Sequence, residues 1–197
     1  MSKAHTQING VNTLADRDRK KIVCLGDSIT YGFPFGPTFS WVQMLSEVID
    51  AEVINKGING NTTTDMMERF DRAVLRNEPT HVLIMGGIND VLCRESFDRI
   101  TWNLRLMAEK ATGNDIQVIF GLPTAVDEPE FERLLVRIRQ WIIRYAAEHN
   151  LPVIDFSSAF HDDNNNVRTE LLLADGGHPT IEGYQAMFQV IDLDLFQ

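Results

Sequence analysis

Cysteine is scarce in this chain: two residues, Cys24 and Cys93, occur among 197. A disulfide framework is therefore excluded, and neither cysteine stands in a CxxC or Cys/His spacing that would hold zinc. Cys24 lies inside an apolar run and reads as a small buried hydrophobe. Basic residues are also short, with 18 Lys and Arg against 28 Asp and Glu, a formal net charge of −10 and no basic cluster of five or more. Such a surface repels a phosphate backbone, which argues against nucleic acid as a partner. Long apolar runs are missing as well. No stretch approaches the ~18 residues needed to span a bilayer. The opening MSKAHTQINGVNTLADRDRKK has no apolar core of signal-peptide length. These absences predict a soluble, cytoplasmic protein without membrane insertion, and they leave its oligomeric state open.

What is present suits one domain. Hydrophobic residues make up 44% of the chain, enough for a core without covalent or metal staples. Residues 1–20 read as a polar N-terminal tail and residues 21–197 as a single domain, with no repeat, low-complexity tract or linker to divide it. Five short apolar runs are expected as strands: Ile22–Leu25, Glu52–Asn55, His81–Met85, Ile116–Gly121 and Pro152–Asp155. Several are apolar at consecutive positions, as suits strands covered on both faces. The segments between them have helical period. Trp41, Met44, Leu45, Val48 and Ile49 share one face, with Ser40 and Gln43 placed as a capping box. Met66, Met67, Phe70 and Val74 form a shorter stripe. Phe97 to Ala111 follows Ser96 as N-cap, Phe131 to Tyr145 is the longest, and Ile181 to Ile191 follows Thr180. The alternation predicts an α/β fold, a three-layer α/β/α sandwich on a five-stranded parallel sheet in the flavodoxin-like order 2-1-3-4-5.

In such sheets, ligands bind beyond the carboxyl ends of the strands, where the strand order reverses. GDSIT follows the first strand, NKGINGNTT the second and GGIND the third, while LADGGHPT precedes the last helix. Each alone has a bland reading: DS after a strand is a helix cap, GGIND a turn, DGGHP a loop that satisfies its own backbone. Together they supply the parts of an acyl-transfer site. Ser28 is a weak nucleophile that needs a base to take its proton. His178 can be that base, because imidazole is the side chain suited to proton transfer at neutral pH. Asp175 lies three residues earlier, with two glycines between to allow the turn, and can reach the imidazole Nδ1–H. The backbone N–H groups of Ser28 and Gly60 and the side-chain amide of Asn89 can converge on an oxyanion. Asp27 is expected to hold the loop and Asp90 to start a helix.

The four blocks, in this order, resemble the SGNH hydrolases, also called the GDSL esterase/lipase family. Ser28 lies in GDSI, Gly60 in NKGINGNT, Asn89 in GIND, and Asp175 and His178 in DGGHP. The resemblance runs from about Lys21 to the last helix, with Ile29 where the family name has leucine. It implies the flavodoxin-like sandwich, Ser28 as nucleophile, His178 as base, Asp175 as its orienter, and Ser28, Gly60 and Asn89 as oxyanion donors. It also implies a small-molecule carboxylic ester as substrate, with no metal and no organic cofactor. The family's range covers short-chain and aryl esters, thioesters, acetylated sugars and lysophospholipids. No long insertion suggests a lid, so an open pocket and short acyl groups such as acetyl or butyryl are expected. Phe33 and Phe35 either line the acyl pocket or pack the loop, and Leu122 and Pro123 are candidates for another wall. Two readings from other classes compete: a flavodoxin-like binding module, and a metal-dependent hydrolase using Asp27, Asp175 and His178. GDSITYG lacks a repeated Ser/Thr and Gly phosphate loop, and metal sites need more clustered ligands.

Overall fold

Consecutive burial, rather than alternation, marks the central strands. In this computed structural model, which describes residues 20–196, β1 (Lys20–Gly26) is buried from Ile22 onward. β3 (His81–Met85) is buried throughout and β4 (Gln117–Gly121) at all but its first residue. β2 (Ala51–Gly57) is half-buried, as an edge strand should be, and β5 (Val153–Ile154) closes the other edge. All neighbours pair in parallel, in the order β2-β1-β3-β4-β5, as the sequence predicts. β5 is shorter than predicted because Asp155 turns its carboxylate to the N–H of Ser158 and starts a 3₁₀ turn. The predicted tail lies outside the described residues except for Lys20, which opens β1 opposite Ala51.

Helices cover both faces. On one, α2 (Trp41–Val48) packs on α8 (Ile181–Gln189), with Trp41 4.8 Å from the Phe156 ring. On the other, α6 (Phe97–Thr112) packs on α3 (Thr63–Glu68), α7 (Pro129–His149) and β4. Ser40, Ser96 and Thr180 each accept the N–H three residues on, as predicted. The capping box predicted at Ser40 is only half formed, because the Gln43 side chain donates forward to Glu47 at 2.9 Å. A complete box forms at Thr62 and Asp65 instead. The stripe from Met66 to Val74 is broken at Arg69 into α3 and α4 (Phe70–Ala73), since Arg69 turns its guanidinium inward to backbone carbonyls. Among the described residues, no helix is long and apolar enough to cross a membrane.

Candidate active site

The turn after β1 separates capping from chemistry. Asp27 accepts the N–H of Ile29 at 3.0 Å and is the N-cap of α1 (Ser28–Tyr31). Ser28 is thereby free of any capping duty, and its Oγ lies 2.9 Å from His178 Nε2. Burial pushes the Asp27 carboxyl up to about 6, although the Ile29 hydrogen bond and His178 pull it down. A carboxyl raised in the folded state binds a proton that the unfolded chain has already lost. Stability therefore falls as pH rises from the ordinary carboxylate range to about 6. The loss is on the order of 3 kcal/mol once Asp27 is fully ionised. Asp27→Asn keeps an oxygen for the Ile29 N–H and removes the charge. The variant is expected to be more stable than the wild type at pH 7.5 and to lose that advantage by pH 4, as read by thermal unfolding of both. A gap that does not change with pH would refute the assignment.

His178 sits in a loop closed at its base. Leu172 and Pro179 form an isolated bridge, and Leu173 N–H donates to the His178 carbonyl at 2.8 Å. Gly176 turns the loop at φ +70°, a region that favours glycine. Asp175 Oδ1 accepts the N–H groups of Gly177 and His178, both at 3.0 Å, and Oδ2 lies 2.7 Å from His178 Nδ1. Partial burial pushes the Asp175 carboxyl up, but these bonds from His178 and Gly177 outweigh it and hold the group below the ordinary range. An ionised acceptor at that place puts the imidazole proton on Nδ1. Nε2 is left to accept from the Ser28 hydroxyl. Phe33 packs its ring 4.6 Å from the imidazole, and its carbonyl accepts the Tyr184 hydroxyl of α8 at 2.8 Å.

Asn89 lines the same cleft as Ser28, and Gly60 lies one residue before the Asn61 carbonyl that Asn89 donates to. Gly60 has φ +76°, and the space where a side chain would stand is open. Neither Ser28 N–H nor Gly60 N–H meets an intramolecular acceptor among the described residues. Asn89, in α5 (Ile88–Leu92), gives one amide hydrogen to the Asn61 carbonyl at 3.0 Å, which leaves the other hydrogen unspent.

Two buried side chains that support this geometry go beyond what the sequence signals. Arg69 donates to Asn61 Oδ1 at 2.6 Å and to the carbonyls of Gly26 and Lys56 at 2.8 and 2.9 Å. It thus fastens the ends of β1 and β2 to the loop that anchors Asn89. The only hint in the sequence is an arginine set inside an apolar helical stripe. Asp90 does lie in the first turn of α5, but its fully buried carboxylate caps a different helix. It accepts the Thr63 N–H of α3 at 2.8 and 3.1 Å, and burial pushes its pKa up against those bonds.

A cleft of about 340 Å³ opens beside Ser28 and His178. Ile29, Ile88, Leu92, Val126 and Phe131 form its apolar wall, and Asp127 and Glu128 stand at its exposed rim. None of the four residues expected as acyl-pocket walls lines it. Phe33 packs on His178, and Phe35 packs edge-on against Phe39 at 6.2 Å. Leu122 is buried in the core because its N–H continues the β4 ladder to Ile154. The Pro123 carbonyl accepts Arg139 Nε at 2.7 Å. β4 ends at Gly121 as expected, but Leu122 and the segment after it stay buried, so the wall begins at Val126, whose N–H is held by Glu132 at 3.0 Å. Among the described residues, no three His, Cys, Asp or Glu side chains cluster as metal ligands. Asp27 faces the Ile29 N–H while Asp175 faces His178.

Known proteins resemble this chain in sequence and fold. Residues 24–186 match the GDSL-like lipase/acylhydrolase family. A solved G-D-S-L family protein from Desulfitobacterium hafniense DCB-2 superposes with a TM-score of 0.81 at 32% identity, covering 87% of this chain and 97% of that one. An acetylxylan esterase from Geobacillus stearothermophilus is 25% identical over 159 residues, 74% of this chain and 73% of its own length. An arylesterase from Vibrio mimicus is 33% identical over 98 residues, which span 47% of this chain and 49% of that protein. The chain belongs to the GDSL-like lipase/acylhydrolase family and is a carboxylic ester hydrolase.

Proposed function

We propose that the protein hydrolyses esters of short acyl chains through an acyl-Ser28 intermediate. The observation that carries this reading is the relay from Ser28 Oγ to His178 Nε2 at 2.9 Å and from His178 Nδ1 to Asp175 at 2.7 Å. Ser28 Oγ attacks the ester carbonyl while Nε2 takes its proton, and Asp175 stabilises the imidazolium that forms. The carbonyl oxygen becomes an oxyanion held by the N–H groups of Ser28 and Gly60 and by the unspent Asn89 hydrogen. Nε2 then returns the proton to the leaving alcohol. A water deprotonated by His178 attacks the acyl-serine, releases the acid and restores the hydroxyl of Ser28. The cleft supports short acyl groups, because Ile29, Ile88 and Phe131 line a space of about 340 Å³ that acyl and alcohol parts must share. Acetylated carbohydrate is the second reading. The rim carboxylates of Asp127 and Glu128 can accept sugar hydroxyls, and an acetylxylan esterase is among the relatives. Two free cysteines, one buried and one exposed, suit a reducing cytoplasm.

The test is the intact mass after treatment with a fluorophosphonate, with and without EDTA. One adduct is expected, mapped to Ser28 and unaffected by EDTA. No adduct on folded protein, or an adduct on another residue, would overturn the reading.

A further inference from the structure

A second cavity, of about 190 Å³, shares a lining residue with the cleft. Val91, Phe97, Ile100, Leu134 and Ile138 line it, and Phe131 lines both spaces. The short helix α5 also faces both, with Ile88 and Leu92 toward the cleft and Val91 toward the cavity. Phe131 is the third residue of α7, and it belongs to the apolar stripe that the sequence assigns to the core. In the structure it is only partly buried, and it lines the Ser28 cleft.

We infer that Phe131 sets the acyl-chain length: its ring is the partition that ends the cleft, and the cavity behind it is an unused extension of the acyl site. The inference rests on the reading of Ser28 as the acyl acceptor. Its chemistry follows from what stands on each side of the ring. The cleft wall is apolar, and so are the cavity residues just named. The charged residues that also line the cavity, Arg94, Glu95, Glu130 and Arg137, are all exposed, and the Arg137 guanidinium is stacked 4.8 Å over the Phe97 ring. Removing the ring joins two spaces that between them have a buried apolar lining of Ile88, Val91, Ile100 and Ile138. An acyl chain that passes the position of Phe131 would also cover Leu134, which is 37% exposed. Each methylene taken from water into such a space favours binding by about fourfold.

The experiment measures kcat/KM on p-nitrophenyl acetate, butyrate and octanoate. The wild type should prefer acetate or butyrate. Phe131→Ala should gain on the order of 10²-fold on octanoate relative to acetate, about four methylenes' worth. Phe131→Leu, a milder change if the alanine variant folds poorly, should gain about tenfold. Adding Leu134→Trp to Phe131→Ala refills the cavity and should abolish the gain, a result that general loosening of α7 would not produce. A Phe131→Ala profile parallel to the wild type, a gain that survives the refilling, or a wild type that already prefers octanoate would overturn the partition while leaving the esterase reading intact. A wild type that turns over none of the esters and takes no fluorophosphonate at Ser28 would overturn the esterase reading, and the partition with it.

Discussion

Ser28→Ala is expected to lower kcat on p-nitrophenyl acetate by about 10⁴–10⁶-fold, with a residual rate still above that in water. The size follows from what one oxygen does here. Without Oγ, no acyl-enzyme can form, and His178 Nε2 has no hydroxyl to deprotonate. The donors at Ser28 N–H, Gly60 N–H and Asn89 remain, and they can still polarise a carbonyl for direct attack by water. Stability is the control. Oγ makes one hydrogen bond, to His178, and the cap of α1 belongs to Asp27, so the fold loses nothing essential. Thermal unfolding should place the variant within about 0.5 kcal/mol of the wild type, the range of changes away from special features. Turnover that survives the substitution would remove Ser28 from the mechanism. A large drop in stability would return the hydroxyl to a structural role.

That contrast between Asp27 and Ser28 shows what the sequence makes legible. In GDSIT both Asp27 and Ser28 are able to cap the helix, and local propensity does not choose between them. The choice is made by the backbone of the turn, where only the Asp27 side chain faces the Ile29 N–H. Strand order and the meeting of the four loops are legible because each depends on a strong local pattern. Consecutive apolar residues mark covered strands, and parallel pairing forces the loops after β1, β2 and β3 to one edge. The Asp175–His178 contact is legible because it spans three residues of one turn. What escapes is set by distant partners. Asp90 caps α3 from 27 positions away, and Arg69 reaches Gly26 across 43, so neither appears in any local window. The acyl wall escapes for a related reason. Nothing in GLPTAVDEP announces that Leu122 is buried in the core after β4 ends, and so the wall shifts from Leu122 and Pro123 to Val126. That loop is carried by Glu132 and Arg139, which sit further along in α7.

Asp175→Asn tests the relay at its far end and is expected to lower kcat by about 10³–10⁴-fold with little change in KM. The substitution preserves shape. Asn Oδ1 can keep the N–H groups of Gly177 and His178, and the loop is still closed by the Leu172–Pro179 bridge and the Leu173 N–H to His178 carbonyl bond. What changes is the group facing Nδ1, which turns from an ionised acceptor into an amide donor. The imidazole then keeps its proton on Nε2, where a donor meets the Ser28 hydroxyl and no base is available to take the proton. The imidazolium that forms in the transition state also loses the carboxylate beside it. The measurements are kcat and KM on p-nitrophenyl acetate together with the rate of fluorophosphonate labelling at Ser28. Both rates should fall together, since both depend on deprotonating the same hydroxyl. A fall in kcat without a fall in labelling would instead place Asp175 in substrate positioning. If neither rate changed, His178 would have to keep the reactive tautomer without the carboxylate, and the 2.7 Å contact would be a property of the turn alone.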